Sequence, residues 1–328
     1  MDRRTPRNRA APSLADLDNA AAVVYRHLPP TPQIRWPLLC RRAGCEVWVK
    51  HENHTPIGAF KVRGGLVYMD ALRREQPDVA GVISATRGNH GQSVAFAAGR
   101  IGLKAVIVIP RGNNPEKNAA MAALGAELIE YGADFQEAYE YTATLAAERG
   151  LHMIRAFHPW LVLGVATYGL EFLRAAPDLD TVYVPIGQGS GICGLIAARD
   201  ALGLETRIVG VVSANAAAYA LSFEAGRPVS TNSADTLADG VACRVPDPAA
   251  LAIILRGAAR VVTVTDDAIL AAMAHYFTDT HNLAEGAGAA PLAALLAEKD
   301  QMAGKRVGLI LSGGNADKAL FRRVLTET

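Results

Sequence analysis

The chain has 328 residues, half of them apolar, which is enough for a large core and for two domains or lobes. Its 33 Lys and Arg balance 32 Asp and Glu, so charge gives no reason to expect a nucleic acid or an anionic membrane as partner. No window approaches about 18 uninterrupted apolar residues, and no apolar run follows the basic start MDRRTPRNRA, so neither a spanning helix nor a secretory signal is expected.

That basic start reads as a frayed end. Cys40, Cys45, Cys193 and Cys243 lack paired CxxC spacing and read as free thiols of a cytoplasmic protein. Along the chain, β-rich runs alternate with helical ones. EVWVK (46–50) predicts a strand, and 61–75 predicts a helix. GVISA (81–85) predicts a strand that ends near a Gly-Asn-His turn, and GQSVAFAAGRIG a helix after it. KAVIVIP (104–110) predicts a strand closed by Pro110. Residues 114–125 predict a helix, with Asn114 as N-cap and Pro115 in its first position. A strand over 126–132 and a helix over 134–149 follow. Further strands are expected at 181–187, 206–212, 259–265 and 306–314. Helices are expected from near Ser190, over 266–277 and over NADKALFRRVL. Apolar strands alternating with helices indicate an α/β protein with buried parallel sheets.

Ligands of open α/β sheets sit beyond the carboxyl ends of the strands. Four polar or glycine-rich stretches fit that place: TPIGAFK, SATRGNHGQ, PIGQGSGICG and LSGGN. One such stretch would mean little, but four suggest one assembled site. In GQGSG (187–191), glycines let backbone N–H groups face one concavity and a helix start adds positive potential, which suits a phosphate. The stretch matches neither the dinucleotide fingerprint nor the GxxxxGK[ST] loop. Lys61 stands between Phe60 and Gly64-Gly65. An amine attacks an aldehyde only when unprotonated, so a reactive Lys61 needs burial or nearby positive charge. Arg63 is free in this reading either to stay outside or to neutralise a carboxylate.

Taken together, GAFKVRGG with Lys61, GNHGQ with Asn89, GQGSG, ADG (238–240), AEGAGAA (284–290) and SGGN with Ser312 resemble one family. It is the threonine/serine dehydratase and serine racemase group of pyridoxal 5'-phosphate (PLP) enzymes, and the resemblance runs from about residue 30 to the C-terminus. It implies a tryptophan synthase β-like fold of type II: two lobes of open parallel sheets with helices on both faces. Residues 1–59 and 156–328 would form the large cofactor-binding domain and 60–155 the small one. It implies that Lys61 bonds the cofactor aldehyde and later handles protons. Phe60 would pack on the ring, and Asn89 would bond its phenolic oxygen. Gly187, Gln188, Gly189, Ser190 and Gly191 would cradle the phosphate, and Ser312 would face the pyridine nitrogen. Thr86, Arg87, Gly88, Asn89 and His90 would grip the substrate carboxylate. The implied activity is removal of water and ammonia from a β-hydroxy amino acid, by default L-threonine or L-serine. A homodimer is implied as well. The chain ends soon after Ser312, so control through an extra C-terminal domain is not expected.

Three departures qualify this likeness. Arg87 replaces the serine that serves racemases as second base, and an arginine stays protonated, so elimination is favoured over racemisation. Arg87 would either bind an acidic side chain, as of 3-hydroxyaspartate, or turn outward. Val212 and Ala218 occupy the positions of two acidic metal ligands, so no metal site is expected. Trp160 replaces a polar residue after His158-Pro159, either to shape a mouth for a bulkier substrate such as phenylserine or as a core residue. Glu285 matches a family glutamate near the cofactor, and His281 reads as structural. An ectoine-degradation dehydratase and a non-catalytic binding protein are the remaining alternatives.

Overall fold

The computed structural model describes residues 11–327, so the start read as a frayed end lies outside the described residues. Its strands are β1 (Gln33–Arg35), β2 (Glu46–His51), β3 (Gly81–Ala85), β4 (Lys104–Ile109), β5 (Glu127–Glu130), β6 (His152–Met153), β7 (Thr181–Pro185), β8 (Arg207–Ser213), β9 (Arg260–Val264) and β10 (Arg306–Leu311). They form two sheets, ordered β1-β2-β10-β7-β8-β9 and β5-β4-β3-β6. Every pairing is parallel except that of β1, which runs antiparallel along β2 at the sheet edge. The first sheet draws on both ends of the chain and the second on the stretch between them. β3 and β7 are buried along their whole length, which is why their sequences read as unbroken apolar runs.

Helices α1 (Leu14–Val24), α2 (Pro37–Ala43) and α3 (Lys61–Glu75) precede the second sheet. α4 (Asn89–Arg100), α5 (Pro115–Ala123) and α6 (Phe135–Arg149) alternate with its strands, and α7 (Pro159–Ala175) leads back to the first sheet. There follow α8 (Ser190–Ala201), α9 (Ala218–Ala225), α10 (Pro248–Gly257), α11 (Asp266–Thr280), α12 (Gly286–Ala297) and α13 (Lys318–Glu327). Asn114 caps α5 as expected, accepting from the N–H groups of Glu116 and Lys117. α13 starts at Lys318, three residues later than expected, and β10 stops at Leu311. The four cysteines are unpaired.

The glycine pair after Lys61 serves close packing. A Cβ on Gly64 would stand 2.9 Å from the Leu161 carbonyl oxygen of α7, and one on Gly164 only 2.3 Å from the Arg63 carbonyl oxygen. Thus α3 and α7 cross backbone to backbone. On another side of α3, a Cβ on Gly65 would lie 2.4 Å from Ser93 Oγ of α4. The first turn of α3 is therefore wedged between two helices.

Beneath that turn lies a buried charge cluster. Arg63 donates through Nε to Glu52 at 2.7 Å and through Nη1 to Glu171 at 2.6 Å. Lys50 Nζ donates to the second oxygen of Glu171 at 2.5 Å. Thr31 donates to Glu52, and Tyr25 to Glu171. Two cations and two carboxylates balance there, out of water. Of the two roles open to Arg63, the structure selects neutralising carboxylates.

Candidate active site

Four helices begin at one cleft. Lys61 opens α3, Asn89 opens α4, Ser190 opens α8, and Glu285 is the N-cap of α12. Among the described residues none of the four has a side-chain cap, which is true elsewhere of α2 and α9, whereas Ser13, Asn114, Asp134, His158, Asp247 and Thr265 cap α1, α5, α6, α7, α10 and α11. Helix starts without caps present unsatisfied N–H donors and positive potential, the requirements of an anion site.

All nine residues expected around the cofactor line this cleft: Phe60, Lys61, Asn89, Gly187, Gln188, Gly189, Ser190, Gly191 and Ser312. Pro185, Gly240, Glu285 and Ala287 complete the walls of the cleft, which is partly open to solvent. Pro185 and Ala287 carry no signal in the sequence beyond their motifs. A second hollow, between Asp267, Leu270, Arg323 and Glu327, shares none of these residues.

The cleft forms where β7 and β10 end. β7 runs into Gly187 and Gly189. A Cβ on Gly187 would come within 2.1 Å of the Gly240 carbonyl oxygen, and Gly189 has φ +95°. Only glycine meets both conditions without strain. The loop can therefore lay its backbone N–H groups around a phosphate, continuing into the first turn of α8. β10 delivers Ser312, which is buried and whose carbonyl accepts from the Phe60 N–H at 3.0 Å. Phe60 meets the ring of Tyr168 edge-on, and the Tyr168 hydroxyl donates to the Gly191 carbonyl.

Lys61 reaches the cleft with Nζ 5.0 Å from the centre of the Phe60 ring. Its carbonyl accepts from Ser93 Oγ at 2.6 Å. Burial pushes the amine down to about 8, against the opposing charge of Glu285. Glu285 is itself pushed up by burial, although the Asn89 amide bonds both of its oxygens, at 2.9 and 3.1 Å. Asn315 donates to Asn89 Oδ1 at 2.8 Å, which fixes the orientation of that amide. An amine of lowered basicity, a glycine cradle at a helix start and an apolar ring wall fit a phosphorylated aldehyde cofactor.

Of the loop expected to grip a carboxylate, only Asn89 lines the cleft. Thr86 is buried and accepts from the Gly88 N–H, which shapes the turn. Arg87 is exposed, and its carbonyl accepts from Asn113. Burial pushes His90 down to about 3. One of its ring nitrogens bonds the Ile154 backbone, and Nε2 has no hydrogen-bond partner among the described residues. Trp160 packs with Tyr68 and His158, at ring distances of 5.2 and 4.8 Å, and does not line the cleft. His281 closes α11 in the left-handed conformation. Val212 and Ala218 are buried apolar residues.

Residues 24–313 match the model of a family described as pyridoxal-phosphate dependent enzymes. An L-threonine ammonia-lyase of Geobacter sulfurreducens is 38% identical over 84% of this chain and 69% of its own length. An L-threo-3-hydroxyaspartate ammonia-lyase of Saccharomyces cerevisiae is 30% identical over 96% of this chain and 97% of its own. The solved structure of the processed form of threonine deaminase isoform 2 from Solanum lycopersicum superposes with a TM-score of 0.89 at 32% identity, covering 95% of this chain and 86% of that one. The family match spans most of the chain, and both the fold and the cleft agree with it: the chain belongs to the pyridoxal-phosphate-dependent enzymes.

Proposed function

We propose that the protein is an ammonia-lyase that converts a β-hydroxy amino acid, L-threonine or L-serine in the first instance, to a 2-oxo acid and ammonia. The observation that carries this reading is the single cleft where Lys61 meets the glycine cradle before α8. Gly187 to Gly191 would hold the phosphate of the cofactor, Phe60 its ring and Ser312 its pyridine nitrogen. Asn89 would bond its phenolic oxygen through the amide that here faces Glu285. When bound, the cofactor supplies an electron sink for the carbon that loses its proton. Lys61 Nζ would take that proton, since its lowered basicity leaves a useful share of free amine near neutrality. The uncapped start of α4 would receive the substrate carboxylate, with the loop from Thr86 to His90 setting its position. The β-hydroxyl leaves as water. Water added back to the released product gives the 2-oxo acid and frees ammonia.

Residues 60–155 would act as the small domain, and 1–59 with 156–328 as the large one. We place the enzyme in the cytoplasm as a homodimer, without a nucleic-acid or membrane partner. Among the described residues no helix is long and apolar enough to cross a membrane. A second reading, 3-hydroxyaspartate as substrate, is favoured by the Saccharomyces relative. Arg87 does not favour it, because its side chain faces solvent. Phenylserine loses its support with the position of Trp160.

Formation of 2-oxo acid from L- and D-threonine, L- and D-serine and the 3-hydroxyaspartates, with PLP supplied, tests the proposal. Product from threonine or serine supports it, and no product from any of them overturns it. Two further results are expected. EDTA or added Mg²⁺ should leave the rate unchanged, since Val212 and Ala218 cannot ligate a hard cation; strong activation by the metal would contradict this. Capture of PLP by the apoprotein should quicken as pH rises through about 8, because the attacking form of Lys61 is the neutral amine, which gains population upward through that value. Stopped-flow absorbance at a series of pH values reads it.

A further inference from the structure

Helix α5 touches both sides of the cleft. Lys117 Nζ donates to Asp239 at 2.6 Å, and Asp239 immediately precedes Gly240 in the cleft wall. The stem of Lys117 lies across the loop before α4, since a Cβ on Gly88 would stand 3.0 Å from Lys117 Cδ. Next to α5, Asn113 donates to the Arg87 carbonyl of that same loop at 3.2 Å. Asn114 donates to Asp317 at 2.8 Å, and the Lys318 N–H donates to Glu116 at 3.3 Å. One helix of the second sheet thus pins the loop 86–89 and fastens it to two separate points beside the first sheet.

The ion pair is suited to opening and closing. The Lys117 side chain is only 14% exposed, but that of Asp239 is 51% exposed, so water can receive the aspartate whenever the pair parts. Pairs of this kind are weak and screened by salt. Contrast the Arg63 cluster, where both partners are sealed from water and separation would strand charges.

We propose that Lys117 is a positioning residue which, through Asp239, latches the loop 86–89 over the cleft after an amino acid has entered. Lys117 does not line the cleft, and it acts through the loop. The kinetic half of this proposal rests on the lyase reading; the latch itself is measurable without turnover.

The test uses the holoenzyme and four variants: Lys117→Met, Asp239→Asn, the two combined, and the exchanged pair Lys117→Asp with Asp239→Lys. Hydrogen exchange over residues 86–89 and 113–118 is followed with and without L-alanine, which has no β-hydroxyl to lose. Each single variant should exchange faster there and lose the protection that L-alanine brings. KM for the hydroxy amino acid should rise about fivefold, the scale of a partly exposed ion pair, while kcat changes far less. The combined variant should be no worse than either single one, and the exchanged pair should recover both readouts. Unchanged exchange in both single variants, or losses that simply add, would overturn the latch. If the unaltered enzyme forms no 2-oxo acid, the lyase reading falls and the exchange data alone decide the latch.

Discussion

Lys61→Ala should leave a folded protein that forms no measurable 2-oxo acid. Three features of the structure make this residue difficult to replace. Its Nζ enters a cleft that already holds the glycine cradle, so it is the amine placed to meet an aldehyde there. Its basicity is lowered by burial, which an exposed lysine elsewhere would lack. Its backbone is fixed by Ser93 and by the crossing of α3 with α7. Loss of proton handling alone costs roughly 10²–10⁴-fold in rate, and loss of covalent capture of the cofactor adds to that. The variant should bind PLP more weakly in an absorbance titration. Its circular dichroism should match that of the unaltered enzyme, because alanine suits the first turn of a helix. Turnover at the unaltered rate would remove the assignment.

Arg63→Met should destabilise the protein by about 3–5 kcal/mol, the usual result of removing one partner from a buried ion pair. Glu52 and Glu171 would then stay buried with only Lys50 to answer two negative charges. The site would suffer as well, since Arg63 is two residues from Lys61 in the same wedged turn. The pH response should change in a definite direction. Burial alone would raise Glu171, but the hydrogen bonds and charges of Arg63 and Lys50 hold it below the ordinary carboxylate value. A carboxylate lowered in the folded state contributes stability that is complete above its unfolded pKa and is lost as pH falls through the folded value. Without Arg63 that contribution shrinks, so the variant should lose stability at a higher pH than the unaltered protein on acidification. Urea unfolding at a series of pH values measures both effects. A variant as stable as the unaltered protein at neutral pH would show that the cluster contributes little.

The lining of the cleft was legible in the sequence because it comes from short polar or glycine-rich stretches that follow a strand or open a helix. Neither Lys61 nor the run from Gly187 to Gly191 is telling alone; the stretches taken together pointed to one site. What stayed hidden depends on three dimensions. Helices α7 and α12 are buried nearly all round, so neither shows the polar face that periodicity needs, and α12 also contains Pro291. The partners of Arg63 lie 11 and 108 residues away. The outward turn of Arg87 and the packing of Trp160 on Tyr68 are likewise matters of tertiary direction, which spacing does not encode. Lys117 carries no signal of its own in the sequence, because its contact with Asp239, 122 residues on, is made only by the fold.

The four uncapped helix starts at the cleft also bear on the protein before any cofactor arrives. Their donors belong to the backbone, so they have no rotamers to freeze when an anion binds, and they meet it already in place. The cost of this preorganisation falls on folding instead, because like-signed helix ends must be brought together around one cleft. Apoprotein and holoprotein should therefore differ widely in resistance to heat, and inorganic phosphate by itself should recover part of the difference by mass action.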